Sequence, residues 1–186
     1  MKYEFTGQTK TVNGVKVRQI KRISDDLIGG WIESEKNLDQ KGKCFVYDNA
    51  VVSGNASVFG NAWVFDDAEV YGNAKVFGYA SVYGYARVYD NAIVSGYARV
   101  YDNAKVFGNA SVYGNAEVSG NAVVYRYAKV FGYASVYGYA RVYDNAKVFG
   151  YAWVYGNAEV SGNASVSGNA LVSSNAKVYR NDVITD

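Results

Sequence analysis

Residues 74–92 read AKVFGYASVYGYARVYDNA, and the same letters return at residues 128–146. Both copies are built from one six-residue unit. Its position 1 is Ala, position 3 is Val, position 4 is mostly Tyr or Phe, position 5 is mostly Gly or Asp, and position 6 is mostly Asn or Tyr. Ala recurs at every sixth residue from Ala50 to Ala176, which gives 22 consecutive hexads without an insertion. Self-similarity at a fixed short period indicates a repeat architecture.

The order of residues inside the hexad predicts a short extended segment followed by a corner. Ala and Val are two residues apart, so both face one side of an extended chain, while positions 2 and 4 face the other side. Position 2 mostly holds polar or charged residues such as Glu69, Lys75 and Arg87, which suit solvent. The pair at positions 5 and 6 uses residues that tolerate tight-turn backbone. We therefore predict four extended residues and a two-residue corner per hexad, with Ala and Val in the core.

The longer repeat indicates how many hexads complete one coil. The copy at 128–146 begins nine hexads after the copy at 74–92, which is three whole coils if each coil contains three hexads. With this coil length, opposite charges become neighbours on adjoining strands, where exposed pairs stabilise the register weakly. The sequence thus predicts a three-sided solenoid with coils about 4.8 Å apart. The predicted ion pairs are Glu69–Arg87, Arg99–Glu117, Arg126–Asp144 and the column Arg141, Glu159 and Lys177.

The first residues of the chain lack the repeat and are predicted to form a cap. Two short extended segments flank Asn13-Gly14, a pair typical of a β-hairpin turn. Terminal units of repeat proteins need such a cover. Ile32 and Leu38 fall in phase with Cys44 and the later alanines, so we predict a degenerate first coil that begins near Ile32. The predicted division is a hairpin cap over residues 1–31 and a repeat body over residues 32–186.

Charge and hydropathy limit the expected partners. The 19 basic and 17 acidic residues give a net charge of +2 and are spread along the chain, so we expect no nucleic-acid partner. No signal-like segment and no apolar run of about 18 residues is present, so we expect no membrane partner and a cytoplasmic location, with virion association as an alternative.

Three residue types bear on catalysis and metal binding. The chain has no His, which removes the commonest general base and metal ligand. Cys44, the only cysteine, takes a place that Ala fills in later repeats, and we expect a small buried thiol there. Asp-Asn corners such as Asp48-Asn49 and Asp90-Asn91 suggest calcium ligands or turn residues, and their irregular spacing favours turns. We expect no metal and no cofactor.

The run of hexads resembles the hexapeptide-repeat family that forms left-handed parallel β-helices. Gly29–Leu38, GGWIESEKNL, leading into residues 45–50, FVYDNA, looks like the YdcK-like proteins of bacteria and phages that are described as acetyltransferases. The resemblance implies an all-β fold, a three-sided left-handed parallel β-helix with an N-terminal hairpin cap. One feature departs from the family pattern. In the family, glycine usually follows the aliphatic residue directly, whereas here an aromatic residue or Ser at position 4 stands between Val and Gly.

The same resemblance raises acyl transfer as a function. Characterised acyltransferases of the family are commonly trimers that use a His base, an extra loop and acyl-CoA held between subunits. This sequence has no His and no interruption of its hexads, so no catalytic residue can be assigned. Two functions remain: a non-enzymatic structural or interaction module, which we favour, and a divergent acyltransferase-like protein as the alternative.

The aromatic residues at position 4 are the distinctive feature of this chain. Tyr or Phe occupies this position in 16 of the 22 hexads. Outward rings either shield and stabilise the strands or form a partner surface. For a partner surface we expect self-association first, then another protein, then a sugar polymer. The candidate interaction residues are Tyr71, Tyr89, Phe107, Tyr125 and Tyr143 in one column, and Phe65, Tyr83, Tyr101, Tyr137 and Tyr155 in another.

Overall fold

A computed structural model describes residues 1–186 as a β-solenoid with a single 3-10 turn, Glu35–Asn37. The strands, in chain order, are β1 Tyr3–Val12, β2 Val15–Arg22, β3 Ile28–Ile32, β4 Phe45–Val46, β5 Val51–Val52, β6 Ser57–Val58, β7 Trp63–Val64, β8 Glu69–Val70, β9 Lys75–Val76, β10 Ser81–Val82, β11 Arg87–Val88, β12 Ile93–Val94, β13 Arg99–Val100, β14 Lys105–Val106, β15 Ser111–Val112, β16 Glu117–Val118, β17 Val123–Val124, β18 Lys129–Val130, β19 Ser135–Val136, β20 Arg141–Val142, β21 Lys147–Val148, β22 Trp153–Val154, β23 Glu159–Val160, β24 Ser165–Val166, β25 Leu171–Val172, β26 Lys177–Val178 and β27 Val183–Ile184.

Each coil adds one strand to each of three parallel sheets, which form the three faces of the rod. Partners on neighbouring coils are three hexads apart in the chain, as in Arg87 and Lys105. This confirms the predicted three-sided solenoid. Face one contains β3, β5, β8, β11, β14, β17, β20, β23 and β26; face two contains β6, β9, β12, β15, β18, β21, β24 and β27; face three contains β4, β7, β10, β13, β16, β19, β22 and β25.

The core is a column of small residues. Every hexad Ala and Val from Ala50 to Val166 is 0% exposed. Side chains of this size from three faces can meet at the axis of a narrow triangular coil, and close packing of the interior leaves no room for larger ones. The predicted inward positions are therefore confirmed.

The corners are tighter than the predicted four-plus-two division. Regular strand covers only positions 2 and 3, because the residue at position 5 has φ between 53° and 75° in every hexad and turns the chain. The hydrogen-bond ladder nevertheless continues around the corner. Tyr71 N–H donates to Val88 O at 3.0 Å, and Asn73 N–H donates to Asp90 O at 2.6 Å.

Polar side chains satisfy the corner backbone from one coil to the next. Asp90 Oδ2, for example, accepts the N–H of Gly108 at 3.1 Å, and Asp48, Asp66, Asp102 and Asp144 make the equivalent bond to the next coil. Left-handed φ favours Gly or Asp at this position, and Asp adds an acceptor. At position 6, amides bond in a ladder through Asn55, Asn73, Asn91 and Asn109, at 3.1–3.3 Å. These contacts account for the Asp-Asn corners as structural turns.

The first coil has a different phase from the predicted one. Phe45 pairs with Trp63 at the usual separation of three hexads, whereas Ile32 pairs with Val52 and Leu38 bridges to Val58 at a separation that is longer by two residues. Ile32 and Leu38 therefore occupy the Val position, and the prediction that they align with the alanines is wrong. Two extra residues between Leu38 and Phe45 change the phase.

An antiparallel hairpin extends face one at its N-terminal edge. β1 and β2 are joined by Asn13-Gly14, as the turn signal predicted, and β2 pairs with β3. Tyr3 is 1% exposed, and its hydroxyl donates to Leu38 O at 2.9 Å. Buried contacts of this kind join the hairpin to the first coil. The division into units 1–31 and 32–186 stays a prediction.

The buried phenol of Tyr3 predicts a loss of stability at high pH. Burial, with the nearby Glu35 carboxylate, raises the pKa of Tyr3 to about 12, from about 10 in an unfolded chain. The folded protein favours the neutral phenol of Tyr3 over the phenolate. The resulting contribution to the free energy of unfolding is fully present below pH 10 and is lost as the pH rises through 12. We expect the free energy of unfolding in urea to fall between pH 10 and 12, and to fall less in Tyr3→Phe. An equal fall in both proteins would contradict this role.

Candidate interaction surface

The rings at position 4 on face one form a continuous stack. Tyr71, Tyr89, Phe107, Tyr125 and Tyr143 follow one another with centroid separations of 4.8–5.2 Å and interplanar angles of 3–14°. The separation is close to the spacing of hydrogen-bonded strands. The small angles show that successive coils hardly rotate, so the faces are nearly flat.

The columns on the other two faces are interrupted by serines. On face three, Phe65, Tyr83 and Tyr101 stack at 4.6 and 5.0 Å, and Tyr137 and Tyr155 stack at 5.0 Å. Ser119 occupies the coil between these two groups. On face two, Ser95 separates a pair of rings from a group of three: Phe59, Phe77, Tyr113, Phe131 and Phe149.

Stacking leaves the candidate rings half-buried. Their flat faces contact the neighbouring rings of the column, so they present mainly edges to solvent. Burial raises the pKa of Tyr71, Tyr83, Tyr89, Tyr125 and Tyr137. The rings therefore cover the strands, in keeping with the shielding interpretation.

The most exposed rings lie elsewhere, at position 6 of the hexad. Seven tyrosines there are 56–65% exposed, and Trp63 and Trp153 at position 2 of face three are each 48% exposed. Sequence reasoning missed these tyrosines because position 6 was interpreted as a corner. The alternation of Asn with Tyr at that position is the signal that identifies them. They are Tyr79, Tyr85, Tyr97, Tyr127, Tyr133, Tyr139 and Tyr151.

Three of the predicted ion pairs form. Arg99 and Glu117 lie 2.6 Å apart on face three, Glu69 and Arg87 lie 3.7 Å apart on face one, and Arg126 contacts Asp144 at a corner. The predicted column Arg141, Glu159 and Lys177 is in register but forms no ion pair. Glu159 instead accepts a bond from Tyr143 Oη at 3.5 Å.

The residues at position 2 of face three are arranged symmetrically along the rod. From Trp63 to Trp153 the column reads Trp, Ser, Arg, Glu, Ser, Trp, with its centre between β13 and β16. Ser81 and Ser135 belong to identical hexads on either side of that centre, and Arg99 and Glu117 are the central pair. Inverting the rod about this centre exchanges Trp63 with Trp153, Ser81 with Ser135 and Arg99 with Glu117.

No group of three or more His, Cys, Asp or Glu side chains is arranged to hold a metal ion, and no helix is long and apolar enough to span a membrane. Among curated proteins, none matches the chain. The family described as YdcK Beta solenoid repeat matches it three times, at residues 86–102, 98–114 and 140–156. These segments cover hexads from all three faces of the rod. The chain is thus a β-solenoid, and residues 86–114 and 140–156 within it are similar to YdcK beta solenoid repeats.

Proposed function

We propose that the protein is a rigid, non-enzymatic interaction module that associates with a second copy of itself through face three. A solenoid with stacked ring columns fits a structural module. Its three faces are not equivalent. Face three carries both exposed tryptophans and the symmetric column, and this symmetry is the observation that carries the proposal.

A two-fold axis lying in the plane of face three and perpendicular to the rod makes two copies antiparallel. Position 2 then opposes position 2 across the interface, because within this plane the axis inverts only the direction along the rod. Trp63 opposes Trp153 of the second copy, Ser81 opposes Ser135, and Arg99 opposes Glu117. Such isologous contacts repeat on both sides of the axis. Aromatic and Arg side chains are typical of interface centres.

The gap in the ring column supports the same arrangement. Ser119 leaves a position without a ring between Tyr101 and Tyr137. Under the two-fold axis, Tyr101 of the second copy lies at the height of this gap. The small residue on one copy thus faces the large residue on the other, and the contact occurs twice.

Sedimentation velocity and directed cross-linking test the proposal. We expect a concentration-dependent dimer and an intermolecular disulfide when Ser81→Cys and Ser135→Cys proteins are mixed. Each single variant alone provides the control. In a dimer of two copies of the same variant, the two new thiols would be about three coils, or about 14 Å, apart. A strict monomer, or cross-linking that is equal in the unmixed variants, would overturn the two-fold arrangement. Capture of a different protein or a sugar polymer by face three would also overturn it.

A further inference from the structure

We infer that the cavity between the hairpin and face one binds a hexopyranose unit of a neutral glycan. The tip of the hairpin lies over the outer surface of face one, where Asn13 Nδ2 donates to Glu69 Oε2 at 3.2 Å. This cavity is partly open to solvent and has a volume of about 620 Å³, within the range of small-ligand sites. It is separate from the proposed dimer surface on face three.

One wall of the cavity is the first ring of the face-one column. Tyr71 stacks on Tyr89, but Ser53 occupies the same position one coil earlier, so no ring covers the other side of Tyr71. Tyr71, Ser53 and Gly54 all line the cavity. An aromatic face that is not stacked on another ring can pack against the C–H face of a sugar. Tyr also supplies a rigid, amphipathic contact.

Polar residues line the same cavity as this ring. They are Asn13, Glu33, Glu69 and Arg87. Glu33 is positioned by its bond to the Gly54 N–H at 2.6 Å, and Glu69 lies 3.7 Å from Arg87. Carboxylates accept hydrogen bonds and a guanidinium donates them. Together they can form hydrogen bonds with neighbouring hydroxyls of a pyranose. The lining contains two carboxylates and one guanidinium, and this excess of negative charge disfavours an anionic sugar.

The experiment is saturation-transfer-difference NMR with glucose, galactose, mannose and N-acetylglucosamine and their disaccharides cellobiose, lactose, mannobiose and chitobiose. We expect at least one to bind, and Tyr71→Ser and Glu33→Gln each to weaken its binding at least about tenfold, which corresponds to about 1.4 kcal/mol. Glu33→Gln keeps the side-chain shape, so it tests the cavity even where Tyr71→Ser perturbs the fold.

Tyr143→Ser is the matched control. Tyr143 ends the same column, with Ser161 on the next coil and Arg141 and Glu159 beside it, but no hairpin lies over it. We expect this variant to bind sugar as the unchanged protein does. Absence of binding by any sugar of the panel, unaltered binding by both cavity variants, or equal weakening by Tyr143→Ser would overturn the inference. Dimerisation through face three is measured separately and does not depend on this result.

Discussion

Val106→Asp is expected to destabilise the middle of the rod by at least about 3–5 kcal/mol. Val106 lies on β14 and is 0% exposed, among alanines and valines that offer a carboxylate no partner. A charge in that environment has no water and no counter-ion. Because each coil contacts only its neighbours, the damage should divide the rod and split a single unfolding transition into two. Urea unfolding followed by circular dichroism measures both effects.

Lys105→Asp is the control for this variant. Lys105 is the neighbouring residue on the same strand, but it is exposed, and its partners in register are Arg87 and Val123. The same new side chain should therefore change stability by no more than about 0.5 kcal/mol. If Lys105→Asp were as damaging as Val106→Asp, the inward and outward assignments of β14 would be wrong.

Arg99→Glu is expected to weaken self-association at least about 100-fold. The substitution places a carboxylate beside Glu117 of the same chain and opposite Glu117 of the second copy. Like charges brought together at an interface cost several kcal/mol. Exchanging both residues, Arg99→Glu with Glu117→Arg, should restore both pairs and return the dimer to its original affinity. Sedimentation velocity over a concentration series gives the dissociation constants.

Mixtures of the two proteins give the more specific test. The exchanged variant should not pair with the unchanged protein, because Arg99 of one would then face an arginine of the other. The matched control is the same exchange on face one, Glu69→Arg with Arg87→Glu, which alters an equivalent ion pair outside the proposed interface. That protein should pair freely with the unchanged one. Free pairing by the face-three exchange would reject the two-fold arrangement.

The sequence was sufficient to predict the coil and most of its core. A strict period places Ala and Val inside wherever the chain is extended, and an exact copy displaced by nine hexads requires whole coils. The prediction from the sequence was wrong at Ile32 and Leu38, because two extra residues shift the phase at a place where no hexad pattern marks them. The cavity was also beyond prediction. It depends on the hairpin tip reaching Glu69, a contact between residues far apart in the chain that no periodicity encodes.

Residues 128–146 are an exact copy of residues 74–92, and this copy indicates a route by which a surface for self-association arises. Duplication of three whole coils reproduces a patch of side chains on the same face, one patch above the other. A rod that carries a patch twice can meet an inverted neighbour with the upper copy against the lower, before any further change. Ser81 and Ser135, with the rings beside them, are such duplicates. Growth by coil duplication would then lengthen the molecule and supply a surface for self-recognition in one genetic event.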